Sequence, residues 1–390
     1  MHPDTRAVHA PLPALTSTPL APPLYQTSSF AFDDPAGLAD GLNHPDRGYA
    51  YSRFTNPTVR ALEESVTALE GGAAAIATAS GMGAISLLLH GLLRAGDHVI
   101  AQHTLYGGTH AKLRDLADRY DIGVTFVTGH DPDEVRQAIT PRTRILYLET
   151  IANPTGHSSD LPVLAPIAKA TGVLTIVDNT FATPLLCRPI EHGADVVVHS
   201  VTKFLGGHSD VTGGIAVFAA DALYQQVWEH AVEFGSVPDP FAAWLTLRGI
   251  QTLPLRVERH VANVARVAGF LAGHPAVERV LWTGSPDHDS HAVATSYIAG
   301  FPAPFCFDLA GGFAAGLHFQ RSVRVIKLAA SLGGTQSLIL HPASSTHRQL
   351  DEQQLAAASI GPGTIRIAVG IEHPDDLIAD LSVALALPTA

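Results

Sequence analysis

Residues 196–203 read Val-Val-Val-His-Ser-Val-Thr-Lys. Three successive β-branched residues predict a short buried strand over Val196–Val198, and His199 and Ser200 end its apolar run. A lysine set among hydroxyls past a strand end is ordinary by itself. It gains meaning when other strands end in reactive groups as well, and three do. The expected strand Arg144–Leu148 runs into Glu149-Thr150-Ile151-Ala152-Asn153-Pro154-Thr155-Gly156. Val173–Val177 runs into Asp178-Asn179-Thr180, and Ala74–Ala79 into Ser80-Gly81-Met82-Gly83.

Helical patterns separate these strands. Helices are expected over Met82–Leu93, Ala111–Tyr120, Pro132–Ala138 and Leu161–Ala170, with further strands at His98–Ala101, Val124–Val127 and Ile215–Phe218. Short apolar strands alternating with helices make βα units, and so an α/β chain with a mainly parallel sheet. In such sheets ligands gather at the carboxyl ends of the strands, where the four polar segments fall. A long helical stretch follows from Pro240 to about Leu271, with Pro254 as a break. Strands Phe305–Leu309 and Thr364–Val369 and helices Ala314–Leu328 and Pro374–Leu385 then predict a smaller α/β cap. The first fifty residues, rich in Pro, Thr and Ser, read as an extended arm with short elements.

Composition removes several classes of function. The chain has 390 residues, 46% hydrophobic, with 24 Lys+Arg against 36 Asp+Glu and a formal charge of -12. That balance disfavours a nucleic-acid backbone as partner. Only 15% of residues are charged, which suggests surface buried between subunits. Two cysteines, Cys187 and Cys306, cannot form a disulfide framework and read as buried thiols in a reduced, cytoplasmic protein. No secretory signal is visible in MHPDTRAVHAPLPAL. The stretch Gly71–Leu93 lacks any Asp, Glu, Lys or Arg, yet its small and polar first half suits a strand, a turn and a helix better than a membrane span. His288 and His291 form the closest ligand-like pair, in a polar loop without a third ligand, and read as surface with no metal site. Trp228, Trp244 and Trp282 read as core or interface residues.

The strand-end groups suit pyridoxal 5'-phosphate, which needs a lysine for a Schiff base, an acid facing its pyridine nitrogen and a phosphate cradle. Lys203 supplies the first and Asp178 the second. A carboxylate beside the ring nitrogen favours its protonated form. The backbone N–H groups of Gly81 and Met82 open a helix and suit an anion. Ser200 and Thr202, two residues apart, can add hydroxyls, and Asn153 can donate to the ring's phenolic oxygen. The competing reading is a dinucleotide fold, since Gly81-Met82-Gly83-Ala84-Ile85-Ser86 nearly matches G-x-G-x-x-G. Ser86 stands where the third glycine belongs, no acid closes a second strand, and Lys203 would have no role.

The sequence closely resembles the Cys/Met-metabolism family of pyridoxal-phosphate enzymes, which includes cystathionine γ-synthase and γ-lyase, methionine γ-lyase and O-acylhomoserine sulfhydrylase. The resemblance rests on PPLYQTSSF, YSRFTNPTVRALE, ATASGMGAI, AGDHVIAQHTLYGGT, ETIANPTG, VDNTFATPLL, GADVVVHSVTKFLGGHSDVTGG, LTLRGIQTLPLR, SLGGTQSLILHPASSTH and IRIAVGIEHPDDLI, from about residue 22 to 385. It implies fold-type I: a mainly parallel seven-stranded sheet in a large domain plus a smaller C-terminal α/β domain. The implied divisions are an arm over residues 1–55 that contacts a neighbouring subunit, a cofactor domain over 56–250 and a small domain over 251–390. It implies a homotetramer built from two catalytic dimers. By motif it makes Lys203 the Schiff-base lysine and proton shuttle and Asp178 the partner of the pyridinium. It makes Tyr106 a ring-stacking acid or base and Asn153 a ring-oxygen contact, with Gly81, Met82, Ser200 and Thr202 on the phosphate. Tyr51 and Arg53 are implied to reach the partner's cofactor phosphate, with Tyr51 also near substrate. Arg366 and the backbone near Ser331 are implied to hold the substrate carboxylate. The residues agree: Arg366 offers a planar fork and alternates with Ile365, Ile367 and Val369 in a half-buried pattern.

The implied activity is γ-elimination or γ-replacement on a homoserine ester or thioether amino acid, of the methionine γ-lyase or O-acylhomoserine sulfhydrylase type. Cystathionine γ-synthase or γ-lyase, or a specialised enzyme for an unusual γ-substituted amino acid, is the alternative. Several positions depart from family members. Gly108 stands where dedicated methionine γ-lyases often have cysteine, and Ala330 where cystathionine-processing members often have glutamate. Glu233-Phe234 replaces a Lys-Asp pair, and Ala303-Pro304 replaces Gly-Gly. Arg324 and Lys327 add positive charge on the helix expected to lead to Ser331.

Overall fold

A computed structural model describes residues 17–44, 48–302, 304–346, 348 and 360–386. Ala303, His347 and the first sixteen residues of the expected arm lie outside the described residues. Among the described residues, twelve strands form two sheets. Seven of them, β1 (Ala74–Thr78), β2 (His98–Gln102), β3 (Gly123–Val127), β4 (Thr143–Glu149), β5 (Leu174–Asp178), β6 (Val196–His199) and β7 (Gly214–Phe218), order as β1-β7-β6-β5-β4-β2-β3. All pairings are parallel except those of β7, which runs antiparallel to both β1 and β6. The Ile215–Phe218 segment is therefore the one reversed strand of an otherwise parallel sheet.

Alternate residues of the central strands feed two cores, as helices on both faces require. Val177, Val197 and Leu148 pack on the side of helices Pro57–Glu70 and Leu161–Ala170. Ile176, Val196, Val198 and Tyr147 pack on the side of helices Gly81–Leu92 and Gly107–Tyr120. The charge-free Gly71–Leu93 stretch resolves into β1, a two-residue turn and the Gly81–Leu92 helix. No helix among the described residues is long and apolar enough to cross a membrane.

The second sheet contains β8 (Val277–Leu281), β9 (Phe305–Leu309), β10 (Lys327–Leu328), β11 (Leu338–Leu340) and β12 (Thr364–Ala368), ordered β10-β11-β12-β9-β8. Phe305, Phe307, Ile365 and Ile367 pack on helices Gly312–Ser322, Pro374–Ala386 and the long Leu253–Ala272 helix. The break expected at Pro254 is real: one helix ends at Ile250 and the next starts at Leu253, with Pro254 in its first turn. Proline fits there because the first-turn N–H has no intrahelical acceptor to lose.

Two expectations, the Ala314–Leu328 helix and a surface His288, are corrected, and three helices are added. The Ala314–Leu328 helix stops at Ser322, where Val323 turns extended (φ -68°, ψ 147°). The Asp380 carboxylate then accepts N–H bonds from Arg324, Val325 and Ile326, and Lys327–Leu328 pairs in parallel with β11. Arg324 and Lys327 thus sit on an exposed edge segment and not on a helix. The arm contains a helix, Pro35–Asn43, whose first turn the Asp34 side chain caps through the Gly37 N–H. Helices Pro57–Glu70 and Asp221–Phe234, absent from the sequence reading, flank β1 and β7. His288 is not a surface residue: it is 9% exposed, because its ring is needed to satisfy the buried Thr155 carbonyl.

Candidate active site

Strands β4, β5 and β6 end side by side and present Glu149, Asp178 and His199 at one edge. The chain past β6 makes a tight turn in which the N–H groups of Lys203 and Gly206 bond the carbonyls of Ser200 and Val201. That turn projects Lys203 to within 3.0 Å (Nζ to Oγ) of Ser331, to which it donates. Burial, and then the positive charge of Arg366, hold the Lys203 ammonium below its ordinary range. A lysine so placed sheds its proton more readily and becomes a nucleophile.

Arg366 lies on β12 and is 8% exposed. Its alternation with Ile365 and Ile367 sends those two into the second core and the guanidinium toward the first sheet. Nη2 donates to the Ser331 carbonyl at 2.8 Å and Nη1 to Asn153 Oδ1 at 3.1 Å. Nε is buried without a protein partner. Ser331 adopts φ 104°, a left-handed conformation that costs a non-glycine residue about 1–3 kcal/mol. That backbone offers its carbonyl to Arg366 while its hydroxyl meets Lys203. Lys203, Ser331, Arg366 and Asn153 thus form one continuous hydrogen-bonded chain.

Burial pushes the Asp178 carboxyl up, against hydrogen bonds from Thr180 and the nearby His199 ring that pull it down. Its Oδ1 accepts the Thr180 N–H at 2.9 Å. Glu149, beside it, is raised well above the carboxylate range by burial and then by the Asp178 charge. A protonated ring nitrogen next to Asp178 would supply the cation that holds this buried carboxylate ionised, so the residue fits pyridoxal phosphate.

The anion cradle also fits. Ser80 caps the Gly81–Leu92 helix through the Gly83 N–H at 3.0 Å, so the chain enters at Gly81 and Met82 with N–H groups leading. A Cβ on Gly81 would lie 2.9 Å from the Ser200 Cβ, so these two segments touch only because Gly81 has no side chain. Thr202 is less free than expected: its hydroxyl accepts the Gly213 N–H at 3.0 Å and donates to the Gly213 carbonyl at 3.3 Å.

Tyr106 is 47% exposed at the head of the Gly107–Tyr120 helix. Its N–H donates to Glu149 Oε1 at 2.7 Å. A Cβ on Gly108 would lie 2.6 Å from Tyr106 Cε1 and 2.9 Å from Met82 Sδ, so the tyrosine ring closes over a glycine. Tyr51 and Arg53 do not join this group within one chain. Arg53 donates to the Val232 carbonyl and its guanidinium carbon lies 4.9 Å from the centre of the Phe54 ring; Tyr51 is 41% exposed.

The sequence reading missed several supports. Arg256, 4% exposed, donates to the Phe204 and Gly249 carbonyls, each at 2.7 Å, and so holds the turn just past Lys203. Glu70 accepts from His199 Nε2 at 2.6 Å and Asn179 Nδ2 at 2.9 Å, beneath Asp178 and Ser200. Arg256 and Glu70 lie in helices far along the chain from the strand ends, and only the quoted LTLRGIQTLPLR motif hinted at the first.

The comparisons agree with this geometry. The family model for Cys/Met metabolism PLP-dependent enzymes matches residues 4–386. An L-methionine gamma-lyase of Fusobacterium nucleatum subsp. polymorphum is 43% identical over 384 residues, 98% of this chain and 97% of the relative. A cystathionine gamma-synthase of Mycobacterium tuberculosis is 42% identical over 386 residues, 98% of this chain and 96% of the relative. The crystal structure of cystathionine gamma synthase from Xanthomonas oryzae pv. oryzae, in complex with aminoacrylate and cysteine, superposes with a TM-score of 0.89 at 39% identity, covering 94% of this chain and 92% of that one. With an anion cradle, a buried acid and a desolvated lysine converging at one sheet edge, the chain belongs to the Cys/Met metabolism family of pyridoxal-phosphate-dependent enzymes.

Proposed function

We propose that the protein catalyses γ-elimination or γ-replacement on a homoserine ester or thioether amino acid, as a lyase or transferase of sulfur amino-acid metabolism. The observation that carries the reading is the unbroken chain Lys203–Ser331–Arg366–Asn153. In this reading the amine that moves protons and the fork that binds a carboxylate both bond one residue, Ser331, and so lie on the same site.

The cofactor, when bound, withdraws the electrons released at the substrate's Cα. Arg366 Nε and the fork orient the substrate carboxylate. Lys203, desolvated and beside Ser331, takes the Cα proton and delivers it elsewhere along the substrate. Asp178 would hold the ring nitrogen protonated, Asn153 would meet the ring oxygen, and Gly81, Met82 and Ser200 would hold the phosphate, joined by Thr202 once its hydroxyl turns from the Gly213 carbonyl. Tyr106 covers the ring and serves as acid or base. Residues 56–250 then form the cofactor unit, and residues 251–390 form the cap that brings Arg366 and Ser331.

Tyr51 and Arg53, outside their own chain's site, reach the phosphate of a neighbouring subunit in a homotetramer of two catalytic dimers. A subunit-mixing assay tests this: Lys203→Ala and Arg53→Ala chains, each inactive alone, regain activity when mixed, because one hybrid site has both residues. The low charge of the chain and its two free, buried cysteines support an oligomer working in the reducing cytoplasm.

Methionine, O-acetylhomoserine, O-succinylhomoserine, cystathionine and cysteine, each with and without a thiol, separate the outcomes. Release of a 2-oxo acid without thiol marks a lyase, and thioether formation marks a transferase. Turnover of cystathionine alone would select the cystathionine γ-lyase reading, and formation of cystathionine from a homoserine ester and cysteine the γ-synthase reading that the Mycobacterium relative supports. Turnover of none would point to a specialised γ-substituted substrate.

A further inference from the structure

Asn153 opens a loop between β4 and the Leu161–Ala170 helix. Five successive residues of this loop are each met by a side chain from the second half of the chain. Arg366 Nη1 donates to Asn153 Oδ1 at 3.1 Å and Cys306 Sγ to the Pro154 carbonyl at 3.3 Å. His288 Nε2 donates to the Thr155 carbonyl at 3.0 Å, and the Thr283 hydroxyl donates to the Gly156 carbonyl. His157 Nδ1 lies 3.4 Å from Ser290 Oγ.

The anchors are buried: Cys306 is 0% exposed, Thr283 2% and Ser290 4%. The loop also closes on itself, through Gly156 N to the Ala152 carbonyl at 2.9 Å and Ala152 N to the His157 carbonyl at 2.7 Å. A shift at Thr155 or Gly156 therefore passes directly to Asn153. Gly156 sits at φ 78°, and a Cβ there would lie 2.6 Å from Thr283 Oγ1, so the contact leaves no slack. The tautomer of His288 follows from its partners. Nε2 faces a carbonyl and must carry hydrogen, while Nδ1 accepts the Ser290 N–H at 3.2 Å. Burial, its largest influence, holds this ring below the ordinary histidine range and so keeps it neutral.

We infer that Thr283, His288 and Cys306 are positioning residues that set the Asn153 amide against the cofactor ring oxygen and against Arg366. The inference rests on the proposed ring contact of Asn153. None of the three touches the reacting atoms. Their grip makes β9 and the segment past β8, in the half of the chain that also supplies Arg366, responsible for the electronic setting of a cofactor held mainly by the first sheet.

The test uses holoenzyme variants Thr283→Val, His288→Ala, His288→Gln and Asn153→Ala, read by the absorbance maximum of bound pyridoxal phosphate and by KM and kcat separately. Thr283→Val and His288→Ala should move the band in the same direction as Asn153→Ala and raise KM about three- to tenfold, the factor of one hydrogen bond. His288→Gln keeps an amide N–H for the Thr155 carbonyl and should restore both. A merely structural role would lower the melting temperature and leave band and KM unmoved, and that result in Thr283→Val and His288→Ala overturns the inference. Should His288→Ala fail to fold, Thr283→Val decides alone, since it removes one hydroxyl at nearly constant volume. An unmoved band in Asn153→Ala would refute the ring contact and the clamp with it; a moved band there with silent clamp variants refutes the clamp only.

Discussion

Truncating Glu70 to alanine probes the support beneath the proposed cofactor residues Asp178 and Ser200. Glu70 is 0% exposed and His199 1%. The Oε1 atom accepts from His199 Nε2 at 2.6 Å and from Asn179 Nδ2 at 2.9 Å. Asn179 directly follows Asp178, and His199 directly precedes Ser200. Removing the acceptor strands two buried donors, each at about 1–3 kcal/mol. The two together come to about 2–6 kcal/mol. Unfolding entropy of about 2.1 cal/mol/K per residue over 390 residues makes that a drop of about 2–7 °C in the melting temperature. Glu70→Gln keeps an oxygen for both donors. It places an amide N–H₂ at Oε2, which has no protein partner, and so falls between wild type and alanine. Calorimetry of the apo-protein measures both variants. A Glu70→Ala melting point within about 1 °C of wild type, or a glutamine variant weaker than alanine, would refute the reasoning.

Other outcomes follow from the site geometry. In the proposed role of Lys203 the neutral amine bonds the cofactor, so covalent loading of the apo-protein should rise with pH about a midpoint below the free-lysine value of about 10.4. Arg366→Met removes a cation that depresses Lys203 and should move that midpoint upward, and stopped-flow absorbance reads both. Ser331→Ala and Ser331→Gly both lose the hydroxyl facing Lys203 and should turn over about tenfold more slowly, as loss of one charged hydrogen bond predicts. At φ 104° only glycine is relaxed, so Ser331→Gly should melt above Ser331→Ala. Gly108→Cys places a Cβ 2.6 Å from Tyr106 Cε1. It should displace the ring and cut kcat/KM about tenfold, while melting changes by less than about 2 °C because the site is at the surface; unchanged kcat/KM would show that the ring does not need this seat.

The strand ends were legible because apolar runs of three to five residues stop abruptly at polar groups. Val196–Val198, Val173–Val177 and Arg144–Leu148 each fall within a residue or so of β6, β5 and β4. Asp178 and Lys203 could thus be placed on one edge from order alone. The failures have one physical cause: local patterns do not reveal which partner an element meets. Val323 to Ile326 looked helical because nothing near them shows that the Asp380 carboxylate, on the last described helix, will take three of their N–H groups. His288 looked like surface because its acceptor, the Thr155 carbonyl, lies on a distant loop. Glu70 and Arg256 carry no local sign of their roles for the same reason.

Those long-range pairs also show why the site belongs to neither sheet. Asp178, Ser200 and Gly81 depend on strand ends and a helix start of the first sheet. Arg366 comes from a strand of the second, Ser331 from the segment between β10 and β11, and Thr283 and His288 from the segment past β8, and the bonds joining the two parts converge on Asn153 and Lys203. A fork that waited on a flexible cap would lose orientation each time the cap moved, and a misplacement of about 1 Å can cost on the order of 100-fold in rate. Here the strained Ser331 backbone bonds Arg366 while its hydroxyl takes the lysine, so movement of the cap relative to the first sheet alters both groups together. The amine and the guanidinium are therefore set by one junction, and in the proposed function a substrate carboxylate that draws Arg366 toward itself would also act on the Ser331 contact of Lys203.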